Sequence, residues 1–215
     1  SETGERMEVS TPAGTTTTIT LSDGTEVLLS ANSRLTYHKD FSDEKREVTL
    51  VGEARFNVTK DAQRPFIVHT EQLQTQVLGT VFDVKAYPQA QPDVTLYEGR
   101  VEVSLNGDAP QLMQPGEQAF LNKEGKLQLA KASEETGKWA EGEFAFDNRE
   151  LMAVMQEIGS WYNISVVFHS RPLLEERIYF RMSRKASTNE VLAVLNDMGI
   201  AKFEIENEKI TVGKN

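Results

Sequence analysis

Cysteine is absent from this chain of 215 residues. That excludes a disulfide scaffold, thiolate zinc sites and a cysteine nucleophile. It leaves the compartment open, because many larger exported domains need no disulfides. Histidine is scarce. His38, His69 and His169 are the whole set, and none lies within helical or strand reach of another, so no metal pair shows. No apolar run is long enough to span a bilayer, and no signal-peptide pattern opens the chain. A Gly-x-Ser-x-Gly elbow and a Gly-rich phosphate loop before lysine are both missing. Positive charge is in deficit: 23 Lys and Arg face 33 Asp and Glu, for a net charge of −10. Such a surface repels phosphate backbones and anionic lipid, so nucleic acid is not an expected partner. The polar start, Ser1-Glu2-Thr3-Gly4-Glu5, suggests a region cut from a longer protein whose targeting and membrane segments lie upstream.

What the chain does have is glycine corners between short alternating strands. Val48, Leu50, Ala54, Phe56 and Val58 point one way and the residues between them the other, the period of a half-buried strand. Gly52 and Gly79 interrupt such runs and are expected to be corners where a strand turns onto the next layer. Asp23-Gly24 marks a tight turn after the threonine-rich strand over Thr15 to Leu21. Asn32-Ser33 marks another turn, and Tyr37 to Glu44 is expected to be a polar loop. Pro65-Phe66 opens a strand, Glu98-Gly99 is a further corner, Asn106-Gly107 signals a hairpin and Pro115-Gly116 a turn. Residues 1–130 therefore form an all-β domain, a solenoid-like or sandwich-like stack of short strands.

The composition changes at Lys131, and residues 131–143 are expected to be a linker. From Phe144 the pattern becomes β-α-β followed by β-α-β-β, a small α/β module over 144–215 with two helices covering one face of a sheet. Asp147 and Asn148 are candidate caps of the first helix, with Glu150 three after Asp147. Leu151, Val154, Met155, Ile158, Trp161 and Tyr162 recur at helical spacing, and Asn163 ends that helix. Ser187-Thr188-Asn189-Glu190 is a capping box for the second, which Gly199 stops.

No constellation singles out a catalytic group. Acidic residues are plentiful, but nothing pairs two of them as a glycosidase would. Glu53 and Glu98 sit beside corner glycines and are expected to accept hydrogen bonds from the bends, or to pair with an arginine such as Arg46 or Arg100. Trp139, Trp161 and Tyr162 form a sugar platform only if exposed; their spacing favours core. Asn57-Val58-Thr59 and Asn163-Ile164-Ser165 match the glycosylation sequon, a short and common pattern that here marks strand or turn positions. The last hairpin, with Lys202, Phe203, Glu204, Ile205 and Glu206 in one strand and Lys209, Ile210 and Val212 in the other, is the candidate partner-binding edge. Its alternating charges equally suit protection against pairing.

The order of motifs carries a resemblance. Pro12-x-Gly14, Leu21-Ser22-Asp23-Gly24-Thr25, Ala31-Asn32-Ser33 and Gly52-Glu53-Ala54-x-Phe56-x-Val58 come first. Pro65-Phe66-x-Val68, Val77-Leu78-Gly79-Thr80-x-Phe82-x-Val84, Glu98-Gly99-x-Val101 and Pro115-Gly116-Glu117 follow. Over Pro12 to Asn122 this set resembles the FecR family of bacterial anti-sigma regulators, in the domain outside the inner membrane. Ser30 departs from it, where relatives often carry Asn. From Trp139 and Phe144-x-Phe146 to Val212 the chain resembles the family's C-terminal part, which is similar to the secretin and TonB short N-terminal domain. The resemblance implies a periplasmic region behind a transmembrane helix and a cytoplasmic sigma-binding segment. It also implies a partner, the N-terminal signalling domain of a TonB-dependent outer-membrane transducer, and relay to an extracytoplasmic-function sigma factor. It implies no enzyme activity, no cofactor and no catalytic residue. A carbohydrate-binding β-protein is the alternative.

Overall fold

The computed structural model describes residues 4–215, so the first three residues of the polar start lie outside the described residues. The chain divides into two compact units between Ala132 and Ser133. Among the described residues the first unit holds thirteen strands. They are β1 (Arg6–Thr11), β2 (Thr17–Thr20), β3 (Glu26–Leu29), β4 (Ser33–His38), β5 (Arg46–Asn57), β6 (Phe66–His69) and β7 (Leu73–Val77). Then come β8 (Val81–Ala86), β9 (Asp93–Glu98), β10 (Val101–Leu105), β11 (Gln111–Met113), β12 (Glu117–Leu121) and β13 (Leu127–Lys131).

β5 is shared by two layers. Its first half pairs with β4 and, in parallel, with β6. From Gly52 on it pairs with β8 and β3. One layer runs β1-β4-β5-β6-β7-β10-β11 and the other β2-β3-β5-β8-β9-β12-β13. After β5 the chain lays two strands in one layer, crosses at a glycine, and lays two in the other. Gly79 lies between β7 and β8, Gly99 between β9 and β10, and Gly116 between β11 and β12. The result is a two-layer sandwich wound like a solenoid, so both expected descriptions apply. A single apolar core fills it, with Phe56 stacked on Phe82 at 5.2 Å and Leu35, Leu50, Phe66 and Leu96 buried around them. Every even position from Val48 to Val58 that carries a side chain is buried, as the period of two predicts.

Two strands were not legible. β1 carries Arg6 and Glu8 and is half exposed at a sheet edge. β4 places Leu35 in the core, but its polar and aromatic residues look like a turn and loop; Tyr37 belongs to the strand, not to the loop expected from that position.

In the second unit β14 (Glu143–Glu150), α1 (Leu151–Tyr162), β15 (Ser165–Phe168), β16 (Arg177–Ser183), α2 (Thr188–Asp197), β17 (Lys202–Glu206) and β18 (Lys209–Gly213) follow in the expected order. A short 3-10 turn, Lys138–Glu141, precedes β14 and buries Trp139. The strands form two sheets rather than one. Among the described residues β14 pairs only with β16, while β15 pairs in parallel with β18, which also holds β17. α1 packs on β14 and β15, α2 packs on β17, and one core joins helices and sheets through Phe144, Leu151, Ile158, Phe180, Leu195 and Val212.

The first helix starts differently from expectation. Asp147 and Asn148 lie inside β14, where the register shifts between Phe146 and Arg149 and Asn148 takes φ 50°. Pairing with β16 continues to Glu150, so no side chain is left to cap. The Leu151 N–H is instead satisfied by the Glu176 carbonyl at 2.7 Å. α2 has the full capping box: Ser187 Oγ accepts from the Glu190 N–H at 3.2 Å, and Glu190 accepts from the Ser187 N–H at 2.7 Å. Ser187→Ala is expected to destabilise the second unit by about 1 kcal/mol. Urea unfolding followed by tryptophan fluorescence measures it, because both tryptophans, Trp139 and Trp161, lie in this unit.

Candidate functional site

The motif residues converge on a buried arginine. Arg46 opens β5 and is fully buried. Its Nη1 donates to Asp23 Oδ2 at 2.8 Å and to the Thr59 carbonyl at 2.7 Å. Nε donates to the Arg64 carbonyl at 2.9 Å and Nη2 to the Leu78 carbonyl at 3.2 Å. Asp23 is held in turn by Thr25, whose N–H and Oγ1 both donate to its carboxylate. Phe66 lies under the guanidinium at 5.5 Å, and the Pro65 carbonyl accepts from the Arg46 N–H. The corner residue Thr80 accepts from the Val58 N–H and donates to the Arg100 carbonyl. So Asp23, Pro65 and Phe66 contact Arg46 directly, Gly24 lies against Thr59, and Gly79 and Thr80 form the corner that follows Leu78. Gly99 packs against the Gly79–Thr80 corner, and Phe56 and Phe82 fill the core. Pro115 and Gly116 turn β11 into β12. The sequence signals each turn and offers Arg46 as a partner for Glu53 or Glu98, but not its burial or its pairing with Asp23.

Glu53 is buried and Glu98 is exposed. The Glu53 N–H donates to Ser33 Oγ at 2.9 Å, and its carbonyl accepts from the Ser30 N–H at 2.9 Å. Arg46 is not its partner. The two stand seven positions apart on one strand, roughly 23 Å at strand rise, and Arg46 has Asp23 instead.

A second polar cluster lies on β5, β8 and β9. Arg55 grips Asp83 through Nε at 2.7 Å and Nη2 at 3.0 Å, and Tyr97 donates its hydroxyl to Asp83 at 2.7 Å. The Arg55 guanidinium also stacks over the Tyr97 ring at 4.6 Å. Burial raises the Tyr97 hydroxyl above its ordinary value, and the Asp83 charge adds to it. The unfolded chain therefore loses its Tyr97 proton first as pH rises past about 10. Folding stability carried by this group is complete below that pH and falls above it. The expected result is an alkaline decline in denaturation free energy from about pH 10 upward that is shallower in Tyr97→Phe.

The fold brings His38 and His69 together, which linear spacing concealed. β4, β5 and β6 are neighbours, and both rings line a shallow depression of about 450 Å³ with Arg6, Tyr37 and Glu47. His69 Nε2 is 3.0 Å from Glu47. Burial pushes the Glu47 carboxyl up, but hydrogen bonds from His69 and Lys45 outweigh it and hold it below the ordinary carboxylate range. Among the described residues no three His, Asp or Glu side chains are grouped to hold a metal ion.

The aromatic candidates are structural. Trp139 is buried, Trp161 donates to the Arg184 carbonyl at 3.1 Å and Tyr162 to the Ala186 carbonyl at 2.6 Å. Arg184 lies 4.8 Å from both the Phe144 and Trp161 rings and pairs with Glu157 at 2.9 Å. Of the sequons, Asn57 ends β5 and Asn163 caps α1 in the left-handed conformation.

The terminal hairpin turns at Asn207-Glu208, both with positive φ. β18 is the middle strand, so Ile210 and Val212 are buried and Lys209 lies on the outer face. β17 is an edge, with Lys202, Glu204 and Glu206 on its solvent face and Phe203 and Ile205 on the other. The edge is partly closed. Asn196 of α2 donates to the Phe203 carbonyl and accepts from its N–H, both at 2.8 Å, in place of a neighbouring strand.

Comparison with known proteins follows this two-unit division. The profile described as FecR protein matches residues 7–102, and the profile described as FecR, C-terminal, matches residues 143–212. A crystal structure at 1.65 Å of a protein from Parabacteroides distasonis ATCC 8503, described as a candidate anti-sigma factor, superimposes with a TM-score of 0.89. The two are 29% identical over 97% of this chain and 99% of that one. A second structure of such a protein from that organism, at 2.50 Å, gives 0.90 at 29% identity over 98% and 100% of the two chains. No curated protein sequence gives a match.

Proposed function

Since this chain belongs to the FecR family of anti-sigma factors, a regulatory family in signal transduction, we propose that it is the periplasmic, signal-receiving region of a transmembrane anti-sigma regulator. In this reading it binds the N-terminal signalling domain of a TonB-dependent outer-membrane transducer. It acts by contact, without catalysis or cofactor, and the outcome reaches an extracytoplasmic-function sigma factor. The membrane anchor and the sigma-binding segment belong upstream of this region; among the described residues no helix is long and apolar enough to cross a membrane.

The observation that carries the proposal is the pairing of the two family matches, one on each compact unit. A rigid β unit followed by a small α/β unit with open strand edges suits a chain that works by docking. The polar clusters support this reading. Arg46, Arg55 and Arg184 are each held by a carboxylate and an aromatic ring, which locks them in place. The carbohydrate alternative loses the three stacking residues expected of it, because Trp139 is buried and Trp161 and Tyr162 are committed to packing and backbone hydrogen bonds.

The test is a pull-down of this region against the N-terminal domains of candidate transducers, with calorimetric titration of any hit. Saturable one-to-one binding to one of them is the expected result. Failure to bind any, together with a rise in melting temperature on adding an oligosaccharide, would replace the proposal with the carbohydrate alternative.

A further inference from the structure

The second unit treats its strand edges unequally. At β17 the Asn196 amide occupies the outward backbone groups of Phe203. The β14–β16 ribbon has no such guard. The Arg184 N–H bonds the Gly142 carbonyl and the Leu151 N–H bonds the Glu176 carbonyl. With the register between them, these bonds fix the alternation: Ile178, Phe180 and Met182 turn their backbone groups to β14, and Arg177, Tyr179 and Arg181 turn theirs outward. Among the described residues no strand or side chain takes the outward groups of Tyr179 and Arg181. A two-stranded sheet is marginal alone, and an unprotected edge is a template for a third strand.

The side chains beside that edge select an occupant. Tyr179 is 65% exposed, the most exposed of the large hydrophobic residues. It borders a pocket of about 330 Å³ lined also by Glu135, Phe146, Asp147, Phe180 and Arg181. Glu135 Oε2 is shielded from solvent yet has no hydrogen-bond partner. Asp147 takes one bond, from Ser133. Arg181 offsets the pair only in part, because its guanidinium is held by Glu143 at 2.9 and 3.0 Å and reaches Glu135 only as a 4.0 Å ion pair, leaving one cation among three carboxylates. The pocket therefore offers two carboxylates and an aromatic face, the surroundings of an ammonium or guanidinium group.

We infer that the free edge of β16 accepts an extended segment of a partner protein as a third strand, with a lysine or arginine of that segment seated beside Tyr179 between Glu135 and Asp147. This rests on the reading of the region as a receiver of a protein signal, and it names the docking edge. A second copy of the chain fits less well. Its own Arg177 and Arg181 are bound to Glu150 and Glu143, so it brings like charge to the edge and no free cation to the pocket.

Two measurements test it. In the first, ¹⁵N-labelled protein is titrated with the peptides acetyl-Thr-Val-Arg-Val-Thr-amide and acetyl-Thr-Val-Glu-Val-Thr-amide. The arginine peptide is expected to shift the amide signals of Tyr179 and Arg181 and slow their hydrogen exchange. The glutamate peptide, and the Glu135→Gln/Asp147→Asn variant, should show neither. Absence of those shifts, or equal shifts from both peptides, would overturn the inference whatever the fate of the transducer proposal. In the second, the transducer domain that binds this region is titrated against Tyr179→Pro and Ile205→Pro. Proline at position 179 removes an outward N–H and leaves the β14 ladder intact. Tyr179→Pro should weaken binding at least tenfold and Ile205→Pro less than twofold, with circular dichroism confirming that both fold. Undiminished binding by Tyr179→Pro would sink the docking edge while leaving the transducer proposal standing, and concentration-dependent dimerisation through β16 would assign the edge to a second copy.

Discussion

Replacing Arg46 with alanine is expected to destabilise the β unit by about 3–5 kcal/mol, the range for removing one partner of a buried ion pair. Three terms act together. Asp23 keeps its charge in a site almost closed to water, with the side chain only 5% exposed. The carbonyls of Thr59, Arg64 and Leu78 lose their donor. The lost side chain, whose guanidinium lies over Phe66, leaves a cavity. The loss is distributed over four chain segments, so it should appear as a lower urea midpoint by circular dichroism rather than as local fraying. The pair also gives a sharper test. Removing both charges, Asp23→Leu with Arg46→Met, should cost less than the sum of the single changes, because neither is then left alone. A double-mutant cycle should return a coupling of about 2 kcal/mol or more. Strict additivity would show that Arg46 serves by its volume alone.

Gly52→Ala is expected to be of similar size, for a different reason. Gly52 has φ 107°, outside the range that an L side chain tolerates. A Cβ there would stand 2.2 Å from Ser33 Oγ, 2.5 Å from its Cβ and 2.7 Å from its Cα. Backbone strain and overpacking together suggest a loss of roughly 2–5 kcal/mol. Trimming the neighbour should not rescue it. Ser33→Gly in the same chain removes the side-chain clash but leaves the Cα and the φ, and it also deprives the Glu53 N–H of its acceptor. Thermal unfolding of Gly52→Ala with and without Ser33→Gly decides the point. Recovery to near wild type would mean that the corner is held by side-chain crowding and not by backbone conformation.

The legibility of the chain follows the range of the forces involved. Period two from Val48 to Val58, the Ser187 capping box and the glycine corners are written in neighbouring residues, and each appeared where it was expected. What failed depended on distant partners. Asp147 and Asn148 have the chemistry of helix caps, but β16 pairs with β14 past them and draws them into a strand. β4 is polar at both ends, and only Leu35, together with its neighbours β1 and β5, makes it a strand. The Arg46 node needs five segments to meet before its role exists, and His38 and His69 share a depression only because β4, β5 and β6 lie side by side. The β16 edge was hidden for the same reason. A strand edge is defined by the strand that is not there, and the Asn196 amide that guards the other edge comes from a helix.

Because β5 belongs to both layers, neither layer can melt alone. Opening the corner at Gly52 would release the ladders to β3 and β8 on one side and to β4 and β6 on the other. Amides in its two halves should therefore exchange with deuterium at one shared free energy, that of global unfolding, and not as two separate groups. Folding inherits the same constraint. The strand must find partners from Glu26 to Ala86 before both ladder sets are complete, so the ordering of β5 marks the slow step. A load applied to one layer reaches the other along covalent bonds of a single backbone, without relying on slip between packed side chains.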